Sequence, residues 1–474
     1  MYPSVKFLIN GVWRDGNGHG EPILNPATGA SLGDCPFATE AVLDEALAAA
    51  EAAFKTWRKT IPLERARIMR KAADLVRERI EQIAPILTLE QGKPVAESRV
   101  ELTYAADIVE WYGEECKRSY GRIVPSRNPD VRQLVTHEPV GVVAAFSPWN
   151  FPAVTPIRKM AGAIAAGCSI IIKPSEETPA TCAELARCFV DAGVPAGVLN
   201  VVYGQPAFVS EYLMRAEVVR KVSFTGSVPV GKLLIRQAAE TLKRTTMELG
   251  GHSPVIVFDD ADIDQAARTL VAGKFRNAGQ VCVAPTRFYV QQDSYERFVS
   301  RFAELTAAIK VGPGIGPDSQ MGPLASARRV EAIEGFVRDA REAGGTVVTG
   351  GEKIGNQGFF FQPTVLRDVP DTARVMTEEP FGPIAPIVPF KSFDEVVERA
   401  NSLQLGLASY AFTSSARTGH AISEAIEAGM VGVNSLAIST PETPFGGIKH
   451  SGHGHEGGIE GLEAFTNLKF IAAG

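Results

Sequence analysis

The sequence predicts an α/β fold with a doubly wound parallel sheet. From about residue 140, apolar runs rich in β-branched residues alternate with helical stretches; these runs are VGVVAAFS, SIIIKPS, VLNVVYG and KVSFTGS. Such runs, separated by helices of roughly 10 to 15 residues, are typical of a parallel sheet that helices cover on both faces. The chain of 474 residues also exceeds the size at which one core stops growing, so two or three substructures are expected.

The remaining segments extend this order along the chain. Residues 40–116 are rich in Ala and have the apolar spacing of helices, which we expect to pack on the sheet. After KVSFTGS, the pattern predicts a helix from Val230 to Leu242 and then a strand in TTMELGG. A second alternating unit, from PVIVFDD to TVVTGG, predicts a second α/β domain.

Two further segments are predicted to lie outside the main cores. Arg122 to Pro139 is polar and rich in β-branched residues, which predicts a hairpin. The stretch AFTNLKFIAA near the C-terminus predicts a strand that pairs outside the two domains. Appendages of this kind often serve subunit assembly.

Composition excludes several classes of partner. The net charge is −6 with 22% charged residues, and no basic stripe suited to nucleic acid is present. The longest apolar stretch, AGAIAAGCSIII, is too short to span a bilayer, so we expect no membrane partner. The six cysteines lack paired spacing, which suits free thiols in a reducing compartment. Because no targeting signal is apparent at the N-terminus, we expect a cytoplasmic protein.

Cys282 and Glu248 are the leading candidates for chemistry. Cys282 lies in FRNAGQVC, and Glu248 lies in MELGG, 34 residues upstream. A thiol can attack a carbonyl once it is ionised, and a carboxylate can activate the water that later frees the enzyme. Taken alone, a Cys beside Gly and Gln is more often a small buried core residue.

Three other motifs follow predicted strands, where ligands bind in open α/β sheets. In PWNFP, the Asn150 amide could donate to a developing oxyanion, although a plain Pro-rich turn has the same pattern. In KPSEETP, Lys173 and Glu176 are ligand candidates or surface charges. FTGS opens a helix with Gly231 close behind, which indicates phosphate binding or an ordinary glycine turn.

The segment GHGHEG allows two readings, and we reject both. It matches the dinucleotide pattern GxGxxG, but the sequence predicts no strand before it and no helix close behind it. His450, His453, His455 and Glu456 lie close together there, yet glycine loops rarely hold metal ligands rigidly. We therefore predict a solvated loop and no metal site.

The motifs together resemble those of the aldehyde dehydrogenase superfamily. PWNFP, KPSEETP, FTGS, MELGG, FRNAGQVC, EEPFGP and PFGGIKHSG occur in that family's order and approximate spacing, across nearly the whole chain. The resemblance implies an NAD-binding domain at 1–121 and 141–250 and a catalytic domain at 251–445. It also implies an oligomerisation hairpin and strand at 122–140 and 460–474.

The resemblance implies oxidation of an aldehyde to a carboxylic acid. In similar proteins the Cys at the position of Cys282 attacks the aldehyde, and the amide at the position of Asn150 holds the resulting oxyanion. After hydride transfer to the nicotinamide, the Glu at the position of Glu248 activates water to hydrolyse the thioester. Lys173 is also placed among the catalytic residues.

The resemblance further implies a coenzyme site and a preference for NAD over NADP. Glu176 falls where NAD-preferring members carry a carboxylate for the adenosine ribose, and such a carboxylate would repel a 2′-phosphate. The implied coenzyme contacts are Trp149, Lys173, Glu176, Phe224, Gly226, Ser227, Gly231, Leu249, Glu379 and Phe381.

The implied substrate site indicates an aldehyde that carries a carboxylate. Arg158, Arg276 and Ser439 match residues that bind the distal carboxylate in succinate semialdehyde dehydrogenases, and Phe151 and Phe445 complete the pocket. The two arginines could instead serve a helix end and a salt bridge. Alternatives are 2-oxoglutarate semialdehyde, another aliphatic or aromatic aldehyde, or a Cys-dependent hydrolase without redox chemistry.

The chain departs from the semialdehyde pattern at two places. Ala284 stands where several such enzymes carry a second Cys able to form a regulatory disulfide, so that switch should be absent. GHEGG replaces the more usual GREGS. Relatives assemble as dimers or tetramers, so we expect a homo-oligomer.

Overall fold

The structure is a computed structural model that describes residues 2–16 and 18–474. The strands in chain order are β1 (Phe7–Ile9), β2 (Val12–Arg14), β3 (Gly20–Leu24), β4 (Ser31–Pro36), β5 (Arg122–Val124), β6 (Arg132–Pro139), β7 (Val142–Phe146), β8 (Ser169–Lys173), β9 (Leu199–Val201), β10 (Val219–Gly226), β11 (Arg244–Leu249), β12 (Ser253–Val257), β13 (Pro285–Gln291), β14 (Thr346–Thr349), β15 (Thr364–Arg367), β16 (Ile384–Phe390), β17 (Leu405–Gly406), β18 (Ala408–Phe412), β19 (Met430–Val433), β20 (Ile448–Lys449), β21 (Gly452–His453) and β22 (Thr466–Ala473).

Helices connect most of these strands. In chain order they are α1 (Glu40–Trp57), α2 (Pro62–Glu78), α3 (Ile80–Gln91), α4 (Val95–Glu115), α5 (Val154–Ala166), α6 (Pro179–Ala192), α7 (Pro206–Arg215), α8 (Val228–Ala239), α9 (Ile263–Phe275), α10 (Tyr295–Ala307), α11 (Ala327–Glu342), α12 (Arg374–Thr377), α13 (Phe393–Asn401), α14 (Ala416–Ala425) and α15 (Gly458–Glu463). Short 3₁₀ turns lie at Cys116–Arg118, Arg276–Gly279 and Gln292–Ser294.

The first sheet is doubly wound, as the sequence predicts. Its strand order is β2-β1-β9-β8-β7-β10-β11-β21, and the five strands from β9 to β11 are parallel. The chain moves outward from β7 in both directions, and α5 to α8 form the crossovers. Every residue of β7 and β8 is buried, which explains their continuous apolar runs.

The second sheet forms its own α/β unit. Its order is β14-β15-β16-β13-β12-β18-β19, with β14 the one antiparallel edge strand among the described residues. The sequence pattern reached only as far as TVVTGG, which is β14. The strands β15, β16, β18 and β19 follow it in the chain. Each of the two large sheets has its own hydrophobic core.

The last strand pairs with the hairpin in a separate three-stranded sheet. Its order is β22-β6-β5, and β22 is antiparallel to β6 from Thr466 opposite Pro139 to Ala473 opposite Arg132. Leu468 and Phe470 on β22 are 65% and 60% exposed. An edge strand with exposed apolar side chains is a surface suited to pairing with another chain.

Two local predictions are wrong. The helix predicted from Val230 to Leu242 is α8, which begins at Val228 because Pro229 suits the first turn, and Leu242 with φ +52° lies beyond it. GHGHEG does have a strand before it, β20, and a helix directly after it, α15. However, β21 within it pairs with β11 as an antiparallel edge, so the segment is not a strand-to-helix phosphate turn.

No helix within residues 2–16 and 18–474 combines the length and the apolar character needed to cross a membrane.

Candidate active site

The loop after β7 and the end of β11 meet the turn that precedes β13. The Asn150 side chain donates to the backbone carbonyl of Gln280 over 3.1 Å. A side chain added at Gly251, just after β11, would meet the backbone oxygen of Cys282 at 3.1 Å, so this position suits only glycine. The structure therefore brings the amide of Asn150 and the Cys282 turn together between the two sheets.

The backbone before Cys282 has an unusual conformation. Helix α9 ends at Phe275, and Asn277 and Ala278 then adopt φ of 50° and 52°. Residues other than glycine rarely adopt this left-handed region, and those that do cluster at functional sites. Of the six cysteines, Cys282 is partly exposed and the other five are buried.

The thiol of Cys282 is held in its protonated form. Burial raises its pKa to about 12, and the charges of Glu379 and Glu248 act in the same direction. The guanidiniums of Arg158 and Arg276 act against them. The protein without ligands therefore carries very little thiolate at neutral pH.

Glu248 is a buried carboxyl group, and the hydrogen-bonding capacity of its oxygens is not used by the described residues. It lies in β11 and is 2% exposed, and neither carboxyl oxygen has a hydrogen-bond partner among the described residues. Burial raises its pKa well above the usual value, the charge of Glu456 adds to this, and Arg158 and Lys159 oppose it. An unsatisfied buried carboxyl of this kind is a candidate for general acid–base chemistry.

An acidic cluster surrounds the end of β8. Lys173, the last residue of β8, forms an ion pair with Glu176. Burial and then the charge of Glu176 raise the pKa of Glu21. The same two causes raise the pKa of Glu177 to about 7. The charges of these carboxyl groups, of Lys173 and of Arg328 therefore affect one another at this strand end.

The FTGS turn has the predicted strand-to-helix geometry. Strand β10 ends at Gly226, and Ser227 precedes α8 without a side-chain hydrogen bond to the helix. The Phe224 ring lies against Gly226, where an added Cβ would overlap it. Gly231 is buried against Leu249, so its small size lets α8 pack closely on β11.

The segment EEPFGP lies across the cleft from PWNFP. The rings of Trp149 and Phe381 meet edge to face, with centroids 5.6 Å apart. Glu379 accepts a hydrogen bond from the backbone N–H of Gly251 over 3.4 Å, and Gly250 leaves room for its other oxygen. Burial raises the pKa of Glu379 to about 8.

Arg158 and Ser439 are in contact, and Arg276 lies beside a different aromatic ring. The Arg158 guanidinium donates to the Ser439 hydroxyl over 2.8 Å and lies 4.0 Å from the centroid of the Phe445 ring. Arg276 is exposed and lies 5.5 Å from the centroid of the Phe151 ring. Arg158 is thus a buried residue, whereas Arg276 is exposed to solvent.

Sequence reasoning missed several polar residues at this site. The Tyr104 hydroxyl accepts from Arg158 over 3.2 Å and pairs with Ser439 over 3.0 Å. Lys93 donates to the carbonyl of Asn150 over 2.9 Å. Tyr104 and Lys93 lie in or beside helices of ordinary composition, so no local signal marks them.

The residues of the rejected metal reading have separate partners. His450 lies near Lys232, with 3.4 Å between the nitrogens, and His453 contacts the Thr245 hydroxyl over 2.7 Å. Glu456 forms a buried ion pair with Lys159. Across residues 2–16 and 18–474, no group of three or more His, Cys, Asp or Glu side chains is arranged to hold a metal ion.

A doubly wound sheet binds dinucleotides at the carboxyl ends of its strands, and here Glu248 near the end of β11 lies close to the Cys282 turn of the second sheet, an arrangement suited to a nicotinamide-dependent oxidoreductase. The model of the Aldehyde dehydrogenase family matches residues 13–471, and the chain belongs to this family. The resemblance found in the motifs is therefore confirmed. The protein is an aldehyde dehydrogenase, and its family uses a nicotinamide coenzyme.

Individual relatives match the chain along nearly its whole length. The chain is 48% identical to 4-(hydroxymethyl)benzenesulfonate dehydrogenase TsaD1 of Comamonas testosteroni, over 99% of this chain and 98% of that protein. It is 43% identical to the NADP(+) succinate-semialdehyde dehydrogenase GabD of Escherichia coli, over 98% and 97%. A solved NAD+ complex of aldehyde dehydrogenase from Bacillus cereus is 36% identical with a TM-score of 0.97, over 99% and 96%.

The protonated state of Cys282 predicts how the free enzyme reacts with iodoacetamide. Because the pKa of the thiol is about 12, the thiolate fraction, and with it the rate of alkylation, should rise about tenfold per pH unit between pH 7 and pH 10. The rate is measured by loss of activity and by mass spectrometry of the Cys282 peptide. The Cys282→Ser variant is the matched control, and a rate that levels off near pH 8 would contradict the raised pKa.

Proposed function

We propose that the protein oxidises an aldehyde bearing an anionic group to the corresponding acid, with succinate semialdehyde as the leading substrate. This proposal depends on the burial of Arg158 and on the hydrogen-bond partners of its guanidinium. Its side chain is 5% exposed, and its hydrogen bonds go to the hydroxyls of Tyr104 and Ser439. Within the described part of the chain, no carboxylate lies within salt-bridge distance of it. A buried guanidinium without a carboxylate partner is suited to an anionic ligand.

The site residues support a two-stage reaction at Cys282. The partly exposed Cys282 thiol would release its proton to solvent, and the thiolate would attack the aldehyde carbon. The carbonyl oxygen would become an oxyanion that accepts from the second N–H of the Asn150 amide. The chemistry that a bound nicotinamide coenzyme supplies is acceptance of the hydride. In its ionised form Glu248, which has no hydrogen-bond partner among the described residues, would then take a proton from the water that attacks the thioester carbon. The C–S bond would break, which releases the carboxylic acid and returns the Cys282 thiolate.

The coenzyme contacts fit a dinucleotide. The first turn of α8 after Ser227 offers backbone N–H groups for a pyrophosphate. Glu176 and Glu379 would accept from the hydroxyls of the two riboses, with Trp149 and Phe381 flanking the nicotinamide side. Lys173 would stay beside the adenosine ribose, held by its ion pair with Glu176.

We further propose that NAD is preferred over NADP. The 2′-phosphate of NADP would have to approach Glu176, with Glu21 and Glu177 close by. Lys173 offers one positive charge there, already paired with Glu176. Like charges at short range in a partly buried site repel strongly.

An aryl sulfonate aldehyde, such as 4-formylbenzenesulfonate, is the second candidate substrate. The Phe445 ring lies against the Arg158 guanidinium and the Tyr104 hydroxyl contacts the same group, so an aromatic body could pack beside the bound anion. The name of the Comamonas relative, at 48% identity, also favours a sulfonate. The earlier alternative, 2-oxoglutarate semialdehyde, carries a carboxylate and belongs to the same anionic class.

The three-stranded sheet supports assembly into a homo-oligomer. The exposed Leu468 and Phe470 on β22 lie on one face of this sheet, and Ile123 on β5 lies on the other face with Ile471, so apolar side chains that another copy of the chain could cover are present on both faces. All six cysteines are free thiols, which fits the proposed cytoplasmic location.

Replacing Arg158 tests the substrate proposal. NADH formation is measured with succinate semialdehyde, 4-formylbenzenesulfonate and neutral hexanal. Arg158→Met should raise KM for the anionic aldehydes by about 30-fold or more, because loss of a buried charged hydrogen bond costs roughly 2 kcal/mol or more, and should change KM for hexanal little. Arg276→Met is the matched control and should have a smaller effect, since Arg276 is exposed. Equal effects of Arg158→Met on all three aldehydes would remove the anion-binding role.

Replacing Glu176 tests the coenzyme preference. The wild-type protein should show a lower KM for NAD than for NADP, and Glu176→Gln should lower KM for NADP by about tenfold, because one repulsive charge is removed. Glu177→Gln is the comparison and should lower KM for NADP less, because Arg328, 4.0 Å away, already offsets the charge of Glu177. A wild-type protein that prefers NADP would contradict the proposal.

A further inference from the structure

The connection between α3 and α4 contacts several loops of the cleft. We call residues 90–101 the α3–α4 connector. Glu90 accepts from the backbone N–H groups of Ala180 and Thr181, at 3.0 and 2.9 Å, in the first turn of α6. The connector thus binds the helix that follows KPSEETP, and four other side chains of the connector contact the PWNFP loop, the start of α5 or the turn before Cys282.

In the connector, the Lys93 ammonium has two hydrogen-bond acceptors and one aromatic ring around it. Its side chain is 1% exposed, and the ammonium donates to Glu101 over 2.5 Å and to the backbone carbonyl of Asn150 over 2.9 Å. It also lies 4.0 Å from the centroid of the Phe151 ring. Lys93 therefore contacts both the residue that would hold the oxyanion and its neighbour.

Glu101 extends this contact to the helix that carries Arg158. One carboxyl oxygen pairs with Lys93, and the other accepts from the backbone N–H groups of Ala153 and Val154 at 2.8 and 3.2 Å. These are the first N–H groups of α5, where a negative charge is favourable. The ion pair thus holds the PWNFP loop at Asn150 and at its junction with α5.

The same carbonyl of Asn150 has a second donor from the Cys282 side. Asn277 donates to it over 2.9 Å, and its side chain also donates to the carbonyl of Gln280 over 3.2 Å. The connector holds Asn277 in turn, because Gln91 donates to its side-chain oxygen over 2.8 Å and Glu97 accepts from its backbone N–H over 2.9 Å. Two donors, Lys93 and Asn277, therefore fix the orientation of the peptide group that follows Asn150.

We propose that Lys93 is a positioning residue that sets the Asn150 amide toward the oxyanion formed on Cys282. This inference rests on the oxyanion role proposed for Asn150. Lys93 touches neither the aldehyde nor the sulfur in this arrangement, so its contribution passes through the carbonyl of Asn150. A misplacement of about 1 Å in a reacting group can cost roughly 100-fold in rate.

A double-mutant cycle tests this coupling. Glu101→Gln is the background, because it keeps an oxygen at the start of α5 and lets Lys93→Met be introduced without a buried unpaired carboxylate. The rate of the first turnover of NADH is measured by stopped flow with NAD and succinate semialdehyde, and with hexanal as a second probe. In this background, Lys93→Met should lower the rate roughly 10- to 100-fold. When Asn150→Ala is also present, Lys93→Met should lower it by less than about threefold.

The outcomes separate this inference from the proposed function. An Asn150→Ala variant with an unchanged rate would overturn the oxyanion role itself. A large effect of Asn150→Ala together with an equal effect of Lys93→Met in both backgrounds would overturn the positioning role alone. If Lys93→Met does not fold, Asn277→Ala removes the other donor to the same carbonyl and should show the same coupling.

Lys243 provides the matched control. It is also buried, at 7% exposed, and donates to two backbone carbonyls, of Ala216 at 2.8 Å and Val219 at 2.9 Å. It lies before the start of β11, at the end of the sheet opposite to Glu248. Lys243→Met and Lys93→Met should both lower the melting temperature, but Lys243→Met should change the first-turnover rate by less than about twofold. An equal loss of rate in both variants would mean that the effect of Lys93 is general destabilisation.

Discussion

The active site depends on the burial of ionisable groups between two parallel sheets. Water is largely excluded there, so each charge must find a partner or lose its charge. Cys282 and Glu248 have raised pKa values for this reason, and Glu248 has no hydrogen-bond partner among the described residues. Arg158 is buried, and its hydrogen bonds within the described residues go to hydroxyls. A ligand bound in the cleft can therefore supply the partners that these ionisable groups lack.

Elsewhere in the cleft, buried charges are paired and serve to fix the backbone. Lys93 with Glu101 and Lys159 with Glu456 are ion pairs, each with both side chains almost fully buried. Glu90 and Glu101 are placed at helix N-termini, where orphan N–H groups need acceptors. The site therefore combines paired charges that hold the loops in place with ionisable groups, such as Arg158 and Glu248, that can interact with a substrate. This division separates positioning residues from reacting ones on physical grounds.

The sequence predicted the parts of the fold that have local patterns. Strands β7 and β8 could be predicted because burial on both faces requires continuous apolar runs. The motifs with Asn150, Glu248 and Cys282 directly follow or end predicted strands or helices, so the sequence indicated that they would meet. The end of α8 was missed because the left-handed Leu242 has no distinctive side chain.

Residues that act over long chain separations were not predictable. Lys93 is 57 residues from Asn150, and Tyr104 is 335 residues from Ser439. Each lies in or beside a helix whose pattern explains it without reference to a site. Glu456 was read as one of a histidine cluster, because the sequence cannot show that Lys159 lies opposite it in the core. Polar contacts between distant elements require the tertiary structure.

Cys282 is proposed to form the thioester and Glu248 to activate the water that hydrolyses it. Stopped-flow mixing of Glu248→Gln with NAD and succinate semialdehyde tests these two roles most directly. We expect a burst of one NADH per active site, an acyl group trapped on the Cys282 peptide, and later turnover slowed by about 100-fold or more. Wild-type turnover without trapped acyl enzyme, or the absence of any burst, would contradict these roles.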